Sequence, residues 1–187
     1  MSRFNKIITT EADLETFVTF YNRGTNRRAS DDLKGLFVRA FYINGLMVGG
    51  YSINNNTNLF HIGIIPCKER RRLELLDQDP YFAEVQSLWI QSHVPNRVRA
   101  EIYCKSVIDA AATKPDYILG GTFQESYRQT QMRALPMLLY SGEVEVWGER
   151  QFWWIFYGKP VSCILRLPFA VVGGWLDRRR LSFVRNR

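Results

Sequence analysis

The spacing of apolar and polar positions changes along residues 81–122 in a way that predicts a strand, a helix and a second strand. Residues 81–90 are a run of aromatic and branched side chains with one acid. In residues 98–111 apolar side chains recur every three or four positions, which indicates a helix with one buried face. Residues 117–121 form a short apolar run. A strand–helix–strand unit of this length favours two parallel strands joined by a right-handed crossover.

The same periodicities predict further elements on both sides of this unit. Thr10 and Asp13 form a capping box for a first helix, and Asn44-Gly45 is a strong hairpin signal. Gly49-Gly50 predicts a bulge or a close backbone approach. The predicted elements are a helix over 10–24, a loop or short helix over 22–34, strands over 37–43, 46–53 and 59–65, a helix from a capping box at Thr122 to Tyr140, and a hairpin of 152–157 with 161–167.

These elements predict an α/β fold in one domain, residues 1–187. The economical arrangement is a single-domain mixed, mostly antiparallel sheet with a central parallel strand pair and helices on both faces. Strict alternation along the first central strand places Phe82, Gln86, Leu88 and Ile90 on the face of Glu84, and a bulge would change that division beyond its position.

Charge and composition narrow the choice of partners. The formal charge is +7, and residues 177–187 are an arginine-rich tail, which favours an anionic partner. Three scattered cysteines predict reduced thiols in a cytoplasmic protein. With two histidines, a metal centre is not expected. The N-terminus is too polar for a signal peptide, charged residues and prolines interrupt the most apolar region, and no transmembrane segment is expected.

Phe82-Ala83-Glu84-Val85, together with the order of elements over nearly the whole chain, resembles the GNAT superfamily of acyl-CoA N-acyltransferases. In that family a glycine-rich turn at a helix start binds pyrophosphate. Arg97 and Ala100 match that turn, whereas Val98 stands in place of its first glycine. The resemblance implies anion binding by Asn96, Arg97, Val98, Arg99 and Ala100, and contacts of Leu88, Ile90, Gly121 and Tyr127 with the pantetheine arm.

The resemblance also implies candidate catalytic residues. Glu84 is the expected general base, and a carboxylate on an interior strand has a pKa that burial raises. An equally good interpretation of Glu84 is an acid that faces outward or forms a salt bridge. His93 is an alternative base, because histidine titrates near neutrality. Tyr140, expected at a helix end, resembles the tyrosine that protonates the departing thiolate, with Tyr127 as the second choice.

The function implied is transfer of an acyl group to an amine on a small molecule, peptide or protein. The donor would be acyl-CoA or acyl-phosphopantetheine on acyl-carrier protein, with no metal, and an acidic carrier suits a basic surface. Two alternatives stay open. One is a Mom-like DNA adenine-modifying protein on the same fold, with nucleic acid as partner. The other is a non-enzymatic interaction module that docks through its basic tail.

Overall fold

Seven strands form one sheet that is flanked by helices in a computed structural model of the protein. Residues 2–25 and 33–185 are described, with side chains over 2–23 and 33–173. The strands are β1 (Arg3–Ile8), β2 (Phe37–Ile43), β3 (Leu46–Asn54), β4 (Phe82–Ile90), β5 (Tyr117–Thr122), β6 (Met137–Val146) and β7 (Glu149–Gly158). The helices are α1 (Glu11–Thr25), α2 (Phe60–Gly63), α3 (Cys67–Arg70), α4 (Asn96–Ala112), α5 (Glu125–Ala134) and α6 (Pro160–Arg185).

The strand order is β1-β2-β3-β4-β5-β7-β6, and β4–β5 is the parallel pair within an otherwise antiparallel sheet. This confirms the predicted mixed sheet and its central crossover, which α4 supplies. Within the residues that the structure describes, no helix is long and apolar enough to cross a membrane.

The glycine pair in β3 allows helices to pack closely on both faces of the sheet. A Cβ on Gly49 would lie 2.8 Å from Cδ1 of Ile102 in α4, and one on Gly50 would lie 2.6 Å from the ring of Phe17 in α1. The core therefore has an α4–α6 side and an α1–α2 side. The close backbone approach predicted for this pair is confirmed, and the register with β4 shifts at the same place.

The predicted helix over 122–140 is wrong at both ends. Thr122 belongs to β5, and its hydroxyl accepts the backbone N–H of Gln124, after which α5 begins. The helix ends at Ala134 because Pro136 has no N–H and disfavours helical backbone at Leu135. Tyr140 therefore lies within β6 and not at a helix end.

The second hairpin consists of β6 and β7 and not, as predicted, of residues 152–157 and 161–167. Its turn is Trp147-Gly148, with φ of 54° and 80°, which is the backbone of a tight hairpin turn. Pro160 opens α6 at the first helical position, where its missing N–H is not needed. Residues 161–167 are thus helical and not a strand.

The remaining predictions concern segments without a clear sequence signal. The strand predicted over 59–65 is the helix α2, and β1 has no counterpart in the prediction. Residues 26–32 of the predicted loop or short helix lie outside the described residues. The backbone of 177–185, within the predicted basic tail, belongs to α6, while the side chains of 177–187 lie outside the described residues.

Candidate functional site

The two parallel strands pair at their beginnings and then separate. Their register joins Phe82 to Tyr117, Ala83 to Ile118 and Glu84 to Leu119. Beyond these pairs the gap between the strands opens into a cavity of about 900 Å³. A cavity at the carboxyl end of parallel strands is where ligands of α/β proteins commonly bind. We therefore take it as the candidate active site.

Most of the predicted cofactor-binding residues border this cavity. Val98 is the exception: it is 4% exposed and packs in the core beneath α4. The side chain that replaces a glycine of the family turn therefore points away from the space in which a ligand would bind. The predicted residues that line the cavity are Leu88, Ile90, Asn96, Arg97, Arg99, Ala100, Gly121 and Tyr127.

A β-bulge at Ser87 changes the face of the sheet on which Leu88 and Ile90 lie. Ser87 has a φ of 47°, and β4 carries one more residue than β3 between the pairs Gly50–Trp89 and Ser52–Gln86. Beyond the bulge, each side chain of β4 points to the face opposite to the one that strict alternation predicts. Leu88 and Ile90 consequently leave the face of Glu84, and Trp89 joins it, so the predicted division is wrong beyond Gln86.

The first turn of α4 offers an anion two backbone donors and one exposed cation. The N–H groups of Val98 and Arg99 bond the carbonyl of Pro95, at 3.0 and 3.1 Å. The N–H groups of Asn96 and Arg97 have no such bond within the described residues. The side chain of Arg97 is exposed at the cavity. Helix N-termini of this kind bind phosphate groups.

Arg99 has a different setting from Arg97, although it also borders the cavity. Its guanidinium donates to the carbonyls of Val94 at 2.9 Å and Ser92 at 2.7 Å, and to that of Gln91. These bonds tie the loop between β4 and α4 to the helix. Its charge therefore stabilises the loop that shapes the anion site.

Glu84 is fully buried and paired, as one of the two interpretations of the sequence had it. Its carboxylate accepts the backbone N–H groups of Phe60 at 2.9 Å and His61 at 2.6 Å. It also lies 2.6 Å from Nδ1 of His61 and bonds the amide of Gln86. Burial by itself would raise the pKa of Glu84, but the ring and backbone of His61, with Gln86, outweigh it and hold the pKa below its ordinary value.

His61 is the functional candidate that sequence reasoning missed. It lies on α2, is 4% exposed, and lines the cavity beside Gly121. The Cδ2–Nε2 edge of its ring lies against Gly121, where an added Cβ would be 2.8 Å from Nε2. A histidine within an apolar run gives no signal of its own. The signal that could have found it is Glu84, since a buried carboxylate requires a partner.

The structure does not bring the other two catalytic candidates to the cavity. His93 is exposed in the loop after β4 and does not line it. Tyr140 donates from its hydroxyl to the carbonyl of Glu143, at 3.1 Å, and is likewise absent from the lining. Among the described residues no group of three or more His, Cys, Asp or Glu could hold a metal ion.

Aromatic side chains form the cavity wall next to His61. The Phe60 ring lies 6.0 Å from that of Trp147 and 5.9 Å from that of Trp153, centroid to centroid. Phe123 lies 5.3 Å from Trp153. The β6–β7 hairpin thus packs against α2, and these rings form an apolar part of the cavity wall with the imidazole at its edge.

Comparison with solved structures identifies the fold. FeeM, an N-acyl amino acid synthase from uncultured soil microbes, is similar with a TM-score of 0.62 and 12% identity, over 83% of this chain and 90% of that one. A putative acetyltransferase (yncA) from Salmonella typhimurium, solved with acetyl-CoA, is similar with a TM-score of 0.54 and 12% identity, over 86% of this chain and 95% of that one. The AHL synthase LasI is similar with a TM-score of 0.54 and 12% identity, over 83% of this chain and 90% of that one. The chain has the GNAT fold.

At the level of sequence, no family model and no curated protein matches the chain. The GNAT fold is therefore visible in the arrangement of strands and helices and not in the sequence as a whole. The cavity lies between β4 and β5 of this arrangement.

Proposed function

We propose that the chain is an N-acyltransferase that moves an acyl group from a pantetheine thioester to an amine. The observation that carries this proposal is the cavity between the diverging parallel strands, which runs to the N-terminus of α4. The strand gap, the helix start and the aromatic wall match the three parts of an acyl thioester: a polar arm, a terminal phosphate and an acyl chain.

The pantetheine arm fits the side of β4 that faces β5. Beyond Glu84, β4 has no further pair with β5, so the backbone groups of residues 85–90 on that side are available to the arm's amides. Leu88 and Ile90 would flank the arm, and Tyr127 of α5 would cover it from the opposite side of the cavity.

The terminal phosphate fits the first turn of α4, with Arg97 as its cation. The donor can be a CoA thioester or an acyl-carrier protein, since both carry a phosphate attached to the pantetheine arm. A carrier protein presents one phosphodiester, which two free N–H groups and one arginine suit. The formal charge of +7 also favours an acidic carrier.

The acyl chain fits the part of the cavity that borders the aromatic side chains of α2 and of the β6–β7 hairpin. Phe60, Phe123, Trp147 and Trp153 line this space. A short acetyl group would leave much of it unfilled, whereas a long acyl chain would bury its methylenes at about 0.8 kcal/mol each. We therefore propose a long-chain donor, with the amine of a small molecule or peptide as acceptor.

Native mass spectrometry of protein purified from its host tests the proposal, followed by turnover of acyl thioesters. We expect bound CoA, acyl-CoA or acyl-carrier protein. We also expect release of free thiol that depends on an added amine and increases from acetyl to long acyl chains. Absence of a bound donor, together with no thiol release from CoA or carrier-protein thioesters of any chain length, would contradict the proposal.

Replacing Arg97 by alanine should raise the KM for the donor about tenfold or more and change kcat less. A charge-assisted hydrogen bond to phosphate contributes about 1.5–3 kcal/mol, and it is made equally in the ground state and the transition state. Steady-state kinetics with a saturating amine measures the effect. Arg3→Ala is the matched control, because Arg3 is exposed on the distant edge strand β1. Equal donor KM values for the two variants would place the phosphate elsewhere.

A further inference from the structure

His61 and Glu84 form a buried pair that no part of the family resemblance assigns. Glu84 lies on β4 and His61 on α2, and the two meet through a 2.6 Å contact between Oε1 and Nδ1. The carboxylate is completely buried, whereas the histidine borders the cavity. We propose that His61 is the proton acceptor of the reaction and that Glu84 positions it, an assignment that rests on the function proposed above.

The hydrogen bonds fix which nitrogen of His61 faces the reaction. An ionised carboxylate only accepts hydrogen bonds, so Nδ1 of the neutral ring carries the proton that Glu84 accepts. The lone pair is then on Nε2, across the ring. No described residue forms a hydrogen bond with Nε2, which lies against Gly121 at the cavity wall. The ring is thus held in the tautomer that a base requires.

Contacts from four elements of the fold hold the ring in place. The carboxylate of Glu84 accepts the backbone N–H of Phe60 and of His61, which anchors the start of α2 to β4. The rings of Phe60 and Trp153 lie at 5.3 and 5.7 Å from the imidazole. Gly121 offers no Cβ, which leaves room for the Cδ2–Nε2 edge. The imidazole is therefore fixed by α2, β4, β5 and β7 together.

Glu84 itself is poorly suited to accept the proton. Its oxygens are occupied by two backbone N–H groups, by Nδ1 of His61 and by the amide of Gln86. It does not line the cavity, and its pKa lies below the ordinary value, which makes it a weaker base. The catalytic role predicted for Glu84 becomes a positioning role, and contact with the amine passes to His61.

The chemical step balances with these groups alone. The neutral amine attacks the thioester carbonyl carbon, and a carbon–nitrogen bond forms. Nε2 of His61 accepts one proton from the nitrogen, which has become cationic. The carbon–sulfur bond then breaks, and its electron pair leaves with sulfur as a thiolate. The imidazolium gives up the proton, which ends on sulfur, so the products are an amide and a thiol and His61 is neutral again.

A His61→Asn variant tests the base. The asparagine amide can still donate a hydrogen bond to Glu84, but asparagine has no nitrogen at the position of Nε2. We expect kcat to fall roughly 10²–10⁴-fold with the donor KM unchanged. The acid limb of the kcat–pH profile should disappear. Glu84 is the titratable group that faces the ring from β4, whereas β5 and β7 present Gly121 and Trp153. A variant with the wild-type rate and profile would overturn the proposal, as would loss of that limb in His93→Gln.

The tautomer of His61 can be measured without turnover. The chain has two histidines, so ¹⁵N NMR of the labelled protein shows two imidazoles, and His93→Gln assigns them. We expect His61 to be protonated at Nδ1, with a low-field proton signal that is lost in Glu84→Gln. Protonation at Nε2, or an unchanged signal in Glu84→Gln, would overturn the positioning role.

The same measurements separate failure of this inference from failure of the proposed function. Wild-type turnover with an unaffected His61→Asn variant would overturn the base and leave N-acyl transfer standing. Absence of turnover with every thioester would overturn both the function and the base. In that case the Nδ1–Glu84 bond seen by NMR would describe a structural pair.

Discussion

Replacing Glu84 by alanine is expected to lower the free energy of unfolding by roughly 3–5 kcal/mol, because each donor that loses a buried acceptor costs about 1–3 kcal/mol. The variant leaves the N–H groups of Phe60 and His61, and Nδ1 of His61, without their acceptor. Urea denaturation followed by circular dichroism measures the change. A loss below about 1 kcal/mol would show that α2 is held by apolar packing and not by this carboxylate.

Glu101→Ala is the matched control for this variant, because Glu101 is an exposed acid on α4. It should change the free energy of unfolding by no more than about 0.5 kcal/mol. The depressed pKa of Glu84 adds a dependence on pH. Its stabilising contribution is complete above the ordinary carboxyl pKa of about 4.3 and is lost as the pH falls through the lower folded pKa. Glu84→Gln should show less of this acid destabilisation than the wild type.

Replacing Gly121 by alanine is expected to lower kcat/KM by roughly 10²-fold, the lower end of what a general base contributes. The new Cβ would clash with Cδ2 of His61 and lie 2.8 Å from Nε2, and it would be 3.2 Å from the carbonyl oxygen of Trp154. The backbone cannot easily retreat, since Gln131 donates to the Gly121 carbonyl and β7 pairs along the strand. The imidazole must move instead. Single-turnover kinetics at a saturating donor concentration measures the effect.

Gly63→Ala is the control for an added methyl group close to His61. Gly63 lies on α2, and a Cβ there meets no atom within 4 Å. This variant should keep the wild-type rate. If Gly121→Ala also keeps it, the position of the imidazole does not determine the rate, and the proton acceptor lies elsewhere.

The central strand–helix–strand unit could be predicted because its evidence is local. The change from a strand run to helical spacing, and back to a strand, lies within residues 81–122, and the crossover rule then determines the parallel pairing. The Asn44-Gly45 turn and the Thr10–Asp13 cap are equally local, and both are observed.

The rest depends on contacts between distant segments. Residues 59–65 are apolar enough for a strand, yet α2 forms because Glu84, more than twenty positions along the chain, accepts its first N–H groups. The extra residue at Ser87 shows no turn residue that would announce it. Residues 161–167 have strand-like composition, but Pro160 and packing against α4 and α5 favour a helix there. The sequence indicates that a buried Glu84 requires a partner, but these contacts are needed to show that the partner is His61.

The extra residue at Ser87 makes the length of β4, and not only its composition, a determinant of the site. Deleting the extra residue would remove the bulge and leave Leu88, Trp89 and Ile90 on the faces that they have now. A strand that kept every residue but lost the bulge would instead turn Leu88 and Ile90 towards α1 and Trp89 towards α4. Single substitutions on one face can be absorbed one at a time, whereas loss of the bulge exchanges the two faces together. An alignment of this chain with distant relatives must therefore place its gap at this position, or it will compare residues from opposite faces of the sheet.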